Sequence, residues 1–130
     1  HYYNRSKFHY LAVTWHEEHD RVLTILSCPG DWPHGKLEFP LAKPVALPAD
    51  GRVELAMEVG GADLQFHWRV PGTDWQAVGP VLDASVISDE GGRGEHASFT
   101  GAFTGMAAFD TSGSAISADF DRFDYIPAQT

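Results

Sequence analysis

A chain of 130 residues, 43% of them hydrophobic, has the size and apolar content of a single packed domain. Its formal net charge of −9 repels nucleic-acid phosphates, and no stretch reaches the ~18 consecutive apolar residues of a membrane span. We therefore expect one domain over residues 1–130, with no nucleic-acid partner and no membrane partner.

The first predicted strands are dense in aromatic and β-branched residues. Residues 8–15 (FHYLAVTW) and 21–27 (RVLTILS) flank a polar turn, which predicts a hairpin. Residues 28–35 contain two prolines and two glycines and predict a loop. Residues 36–41 then predict a short edge strand, because Pro40 cannot donate a ladder hydrogen bond.

The middle of the chain predicts a three-stranded meander. Residues 52–59 alternate apolar and polar side chains, as an antiparallel strand with one face in a core does. Gly60-Gly61 predicts the hairpin turn, residues 64–70 the returning strand and residues 75–78 the third strand. Trp68 shares its face with two further apolar residues, so we expect it to pack in the core.

The last third of the chain predicts three further strands. They cover residues 81–88, residues 99–109 as a buried strand rich in small side chains, and residues 118–125. Residues 89–98 are polar, include three glycines and predict a loop. Short strands separated by turns, without a helical period, predict an all-β fold in which two antiparallel sheets form a sandwich.

Carboxylate pairs are the first place to look for catalysis in a sandwich. A glycosidase needs two carboxyl groups about 5–9.5 Å apart. Asp119 and Asp121 share one face of the predicted last strand. We expect both to be solvated or hydrogen-bonded to a neighbouring loop, and a catalytic sandwich glycosidase remains the weakest of three functional hypotheses.

Histidines and acidic loops raise the question of a metal site. His16 and His19 lie three residues apart across a turn, but nothing in the sequence supplies the remaining ligands that zinc needs. Asp110 and the 89–90 acidic pair could offer oxygen ligands to a structural calcium ion, although no spacing resembles an EF-hand loop. We expect no cofactor, with structural calcium as the open alternative.

Aromatic side chains are the feature most relevant to carbohydrate, because sugar rings stack their C–H faces on them. Trp32 and Trp75 lie in or beside turns, a position that allows exposure and contact with a sugar, but the sequence does not decide which of them is exposed. Phe99 ends the glycine-rich loop. It either anchors that loop to the core or projects toward a partner, and the residues alone do not decide between these.

Four segments together resemble the C-terminal concanavalin A-like domain of glycoside hydrolase family 43 β-xylosidases. They are YYNRSKFHYLAVTWHEE, GADLQFHWRVPGTDWQAVGPVLDASVISDE, FTGAFTGMAAFDTSG and ADFDRFDY. The resemblance implies a jelly-roll sandwich that follows a catalytic β-propeller and carries no catalytic residues of its own. The family's module begins with further strands before YYN, so a chain lacking them is expected to leave unpaired edges or exposed apolar surface.

The resemblance also implies a way to take part in catalysis without catalytic residues. A loop of the family's sandwich reaches over the propeller pocket and supplies an aromatic side chain that helps close the xylo-oligosaccharide site. Loop 89–98 is the counterpart here, which makes Phe99 the first candidate for that role and Phe103 the second, with Phe103 also the better candidate for plain core.

Two functional hypotheses therefore lead. The first is a non-catalytic accessory module of a β-xylosidase/arabinofuranosidase; the second is a free-standing module that binds xylan through exposed aromatics, with Trp75 and Trp32 as contacts. The resemblance leaves open a homo-oligomeric parent enzyme. It favours a bacterial cytoplasmic location, and because the chain begins at His1 the missing signal peptide carries no weight against secretion.

Overall fold

The computed structural model describes residues 1–30, 36–88 and 101–128. The described part contains seven β-strands and one short 3-10 helix. In chain order they are β1 Tyr2–Asn4, β2 Lys7–His16, β3 Asp20–Pro29, β4 Val45–Ala46, β5 Glu54–Gly60, β6 Asp63–Arg69, β7 Gln76–Asp83 and the helix Ala84–Val86.

The first sheet has the strand order β1-β2-β3-β4 and is antiparallel throughout. Its centre is the hairpin of β2 and β3, paired without interruption from Lys7 opposite Pro29 to His16 opposite Asp20. Asp20 closes the turn with φ of 60°, a left-handed conformation that Asp tolerates better than most residues. The predicted hairpin is confirmed, and both strands extend beyond their predicted ends.

The second sheet is the predicted meander, with strand order β5-β6-β7. Gly60 pairs with Asp63, so the connecting residues are Gly61 and Ala62, one position later than predicted. The reason lies in the backbone, because Gly61 takes the positive φ (60°) that the turn needs while Gly60 remains in the ladder.

An irregularity in β7 merges two strands that the sequence predicts as separate. Leu64 of β6 pairs with Leu82 and Phe66 pairs with Val78, so β7 carries two extra residues between these pairs. Gly79 lies in this bulge with φ of 73°. The chain therefore continues as one strand to Asp83, and the 3-10 helix replaces the end of the strand predicted over 81–88.

The two sheets pack face to face on one hydrophobic core, which makes the fold a β-sandwich. Leu23 and Ile25 from β3 meet the inner face of the second sheet, where Leu64 and Phe66 are almost fully buried. Trp68 packs against this core from its edge, as predicted. The alternation of buried and outward residues along β6 produces this arrangement, because side chains two apart share one face.

Residues 101–128 differ most from prediction. In place of strands over 99–109 and 118–125, the described residues 101–128 contain no strand, only a single bridge from Phe103 to Tyr2. The predicted strand over 36–41 likewise reduces to one bridge, between Glu38 and Ser27. A sequence that favours strands forms one only where another backbone lies alongside and completes the hydrogen-bond ladder. In each of these two segments, one described residue is paired with another strand.

Candidate functional site

Trp75 lies at one end of a row of side chains across the second sheet. Glu54 of β5 pairs with Arg69 of β6, and Trp75 immediately precedes the first residue of β7. The Arg69 guanidinium carbon stands 4.3 Å from the centroid of the Trp75 ring, and the Arg69 Nε donates to a Glu54 carboxylate oxygen. Trp75 is 42% exposed, and the cation covers one face of its indole.

This row belongs to the outer face of the second sheet. The core-facing residues of β6 are Leu64, Phe66 and Trp68, so Arg69 and His67 point the other way. The next row on that outer face is formed by Ala56, His67 and Ala77.

Three buried polar side chains meet at one end of the sandwich. His9 of β2 contacts the Ser27 hydroxyl through Nδ1 at 2.7 Å, and its Nε2 lies 2.9 Å from the Asp83 carbonyl oxygen. A carbonyl can only accept, so Nε2 carries the proton and the hydroxyl donates to Nδ1. Lys7 donates to the Ser88 carbonyl at 3.0 Å. These bonds join the first sheet to the last residue of β7 and to the segment that follows it.

Burial controls the charge of His9. Desolvation lowers its pKa, and the hydrogen bond to the Asp83 carbonyl opposes that shift only in part. The neutral ring also forms the floor of an open cleft of about 530 Å³ between the two sheets. Phe39, 61% exposed, stands in the wall of this cleft. Because both ring nitrogens of His9 already have partners, its role is structural rather than ligand-binding.

Residues 101–128 form what we call the C-terminal apolar face. Its large apolar side chains are all at least 48% exposed: Phe103, Met106, Phe109, Ile116, Phe120, Phe123, Tyr125 and Ile126. The segment is attached to the sandwich through the Phe103 bridge, a ring contact of Phe109 with Tyr10 at 6.2 Å, and an ion pair of Asp121 with Arg52 at 3.0 Å. An exposed apolar surface of this kind marks an interaction site in a folded protein.

The four predicted sugar-contacting residues have different outcomes. Trp32 and Phe99 lie outside the described residues, and so does loop 89–98. Phe103 is 58% exposed and therefore does not lie in the core of the described structure, which was the alternative to its role as a sugar contact. Its bridge to Tyr2 keeps it at the edge of the first sheet, whereas Trp75 lies on the second. The structure therefore does not bring these two together.

Among the described residues, no group of three or more His, Cys, Asp and Glu side chains could hold a metal ion. His16 and His19 stack ring on ring at 4.8 Å, and His16 Nδ1 accepts from the Glu18 backbone. Asp110 accepts from the Ser112 hydroxyl and backbone and from the Ala115 backbone, and the Ser112 bonds are the main reason its pKa is lowered. The other predicted calcium ligands, at 89–90, lie outside the described residues.

The carboxylates considered for catalysis are on the C-terminal segment. Asp121 pairs with Arg52, both side chains being well exposed, and Asp119 is exposed in the same segment. No helix in the described part of the chain has the length and apolar character needed to cross a bilayer.

Residues 1–126 match the family model described as the β-xylosidase C-terminal concanavalin A-like domain. The chain belongs to this family. The domain is 46% identical over 129 residues to xylosidase/arabinosidase 43B of Humicola insolens, covering 98% of this chain and 24% of that protein. It is 32% identical over 125 residues to a β-xylosidase of Bacillus subtilis, covering 95% and 22%.

A solved structure agrees with the sequence comparisons. The domain matches the crystal structure of xylan β-1,4-xylosidase from Bacillus halodurans with a TM-score of 0.77 at 33% identity, over 87% of this chain and 21% of that one. The concanavalin A-like sandwich predicted from the sequence is thereby confirmed, as is the resemblance to the family 43 enzymes. The chain spans about a quarter of the length of the curated relatives it matches.

Sequence reasoning missed two arrangements. The first is the Arg69 and Glu54 support of Trp75, which follows only from the true register of β5 and β6. The second is the buried cluster of His9, Ser27 and Lys7. His9 and Ser27 lie on strands that the sequence does predict, and a polar residue among core-facing neighbours is the signal that could have pointed to it.

Proposed function

We propose that this domain is a non-catalytic accessory module of a β-xylosidase. It packs on the catalytic part of a longer chain through the C-terminal apolar face and helps to close the xylo-oligosaccharide site. The observation that carries the proposal is the run of exposed aromatic and aliphatic side chains from Phe103 to Ile126. Exposure of these side chains to water is unfavourable, and burying their apolar surface contributes about 25 cal/mol per Å² to the stability of the docked state.

The rest of the parent chain is the partner that fits this face best. Relatives whose names denote xylosidases are about four times longer than their matched segment, so they contain ample chain to cover it. By the family resemblance, we propose that loop 89–98 and Phe99 contribute to the site at the junction with the catalytic part. Closing a pocket mouth in this way excludes water and strengthens the electrostatic interactions inside.

A chimera tests the docking role. In the Humicola insolens relative, the matched quarter is replaced by this 130-residue chain, and hydrolysis of nitrophenyl β-xyloside is compared with that of the enzyme lacking the quarter. We expect the chimera to be active and the shortened enzyme to lose most activity. Phe109→Asp with Ile126→Asp should lower activity and melting temperature, because each buries a charge at the junction. Trp15→Asp, a change at a residue 67% exposed on the β2–β3 hairpin, is the matched control.

Phe99 has its own test in the same chimera. Phe99→Ala should raise KM roughly 2- to 10-fold, because an aromatic contact contributes about 0.5–1.5 kcal/mol beyond its buried area. Xylosidase activity in the 130-residue chain alone, or full activity in the shortened enzyme, would overturn the accessory role. The catalytic alternative is tested in the isolated 130-residue chain. It survives only if the unmodified chain hydrolyses the substrate and the double variant Asp119→Asn, Asp121→Asn does not.

A further inference from the structure

Residues 83–88, which we call the connector, join the end of β7 to the polar segment that follows and are bonded to both sheets. The Ala84 amide donates to the Ala62 carbonyl, in the β5–β6 turn of the second sheet, at 2.7 Å. His9 Nε2, on the first sheet, lies 2.9 Å from the Asp83 carbonyl oxygen that accepts its proton. Bonds to two sheets leave the connector little freedom to shift between them.

The connector is also bonded within itself. The Asp83 carboxylate accepts from the Ser85 backbone and hydroxyl, which caps the 3-10 helix. The Ser88 hydroxyl donates to the Ser85 carbonyl, and Ile87, 1% exposed, anchors the segment in the interior. Because the segment is short and internally bonded, fixing its two ends also fixes the direction in which the chain leaves Ser88.

Lys7 holds the far end of the connector. Its Nζ donates to the Ser88 carbonyl at 3.0 Å and lies 4.7 Å from the centroid of the Tyr3 ring. The aliphatic part of the side chain is confined as well, because a Cβ built at Gly30 would come 2.8 Å from its Cγ. Lys7 as a whole is 4% exposed, so this bond is made in the interior.

A buried lysine is an unusual way to stabilise a sandwich. Removing an ammonium group from water costs free energy unless hydrogen bonds replace the lost water, and an apolar residue of similar shape often stabilises such a position equally well. An apolar residue cannot, however, donate a directional hydrogen bond to the Ser88 carbonyl. The arrangement therefore favours a role for Lys7 in directing the chain rather than in stabilising the fold.

We propose that Lys7 is a positioning residue, supported by His9. By holding the connector on the first sheet, these two side chains set the point and the direction from which the chain continues from Ser88 toward Phe99. The consequence for hydrolysis rests on the proposed function, in which Phe99 contributes to the sugar site. The consequence for the chain after Ser88 does not depend on that function.

Trypsin cleavage at the Arg93–Gly94 bond, identified by mass spectrometry, tests the positioning in the 130-residue chain. Lys7→Met keeps an unbranched side chain that packs well on an aromatic ring but lacks the N–H donor. We expect a melting temperature within a few degrees of the natural chain and cleavage at Arg93 several-fold faster. The bond after Arg122, whose side chain is 79% exposed, is the internal reference, and Lys43→Met, at an exposed lysine, is the matched control.

A double-mutant cycle in the chimera connects Lys7 to the reaction. If Lys7 acts through Phe99, Lys7→Met should raise KM by no more than Phe99→Ala does, which is up to about tenfold, and should add nothing when the two changes are combined. A lysine with a merely structural role would raise KM equally with and without Phe99. His9→Leu removes the other bond of the first sheet to the connector and replaces Lys7→Met in both measurements if that variant does not fold.

Unchanged cleavage at Arg93 in a folded Lys7→Met chain would overturn the positioning role, and so would a KM effect that persists in Phe99→Ala. A chimera without activity, or one in which Phe99→Ala leaves KM unchanged, would contradict the proposed function instead. In that case cleavage at Arg93 still decides whether Lys7 positions the chain after Ser88, so the two proposals can fail independently.

Discussion

Replacing Gly79 by alanine should destabilise the sandwich through two separable effects. Gly79 lies in the β7 bulge with φ of 73°, and a Cβ built there would come 2.4 Å from Cδ1 of Ile25. Ile25 lies in the core with 0% exposure, so its methyl group has little room to move away. Gly72 has φ of 86° and nothing within 4 Å of its added Cβ, so Gly72→Ala isolates the backbone effect.

The two effects have different magnitudes. A left-handed conformation costs a residue with a Cβ about 1–2 kcal/mol, which the stiffer unfolded chain offsets in part. Overpacking a core with one methyl group costs typically about 1–3 kcal/mol more. We therefore expect Gly72→Ala to lower the free energy of unfolding by about 1 kcal/mol and Gly79→Ala by about 2–4 kcal/mol.

A double-mutant cycle with Ile25→Val identifies the clash directly. Valine lacks the Cδ1 atom that the new methyl group would meet, and the replacement alone costs about 0.5–1.5 kcal/mol. Urea unfolding followed by tryptophan fluorescence should show the double variant about 1–3 kcal/mol more stable than the sum of the single changes predicts. Strict additivity, or a Gly79→Ala loss no larger than that of Gly72→Ala, would show that the sheets do not approach each other at Gly79 as described.

Two stability predictions concern His9 and the core. Burial lowers the pKa of His9 below its ordinary value of about 6.5, so at mildly acidic pH the unfolded chain binds a proton that the folded chain does not. The urea concentration at the unfolding midpoint should therefore decrease as the pH is lowered from about 7.5 to about 5.5. His9→Gln should reduce that fall, and an unchanged pH dependence would show that His9 is not its source. Leu64→Ala should cost about 2–5 kcal/mol in thermal unfolding, whereas Val81→Ala, at a 57% exposed position, should stay within about 0.5 kcal/mol; similar losses would contradict the assigned core.

The sequence is informative wherever one strand neighbours the next along the chain. Hairpins β2–β3 and β5–β6 follow from alternation and turn residues, because both depend on local pattern. Even there, placing the turn at Gly60-Gly61 would set Glu54 opposite His67, whereas the structure sets it opposite Arg69. Moving a two-residue turn by one position keeps every side chain on its face but changes its cross-strand partner.

Contacts between segments far apart in the sequence could not be predicted, because local pattern does not specify which backbones become neighbours. Residues 118–125 alternate well enough to predict a strand, but whether they form one depends on a neighbouring backbone that local pattern cannot specify. The Phe103 exposure and the His9 bond to the Asp83 carbonyl, 74 positions away, depend on tertiary placement too. Periodicity alone predicts an antiparallel sandwich. The more specific concanavalin A-like fold was predicted from the family resemblance.

The C-terminal apolar face is attached to both sheets of the sandwich. Tyr10 alternates with the core-facing His9 along β2, so its contact with Phe109 places that part of the C-terminal apolar face on the outside of the first sheet. Asp121 of the same segment pairs with Arg52, which lies two residues before β5 of the second sheet. A catalytic part that covered the whole face from Phe103 to Ile126 would therefore contact a segment that is anchored to both sheets.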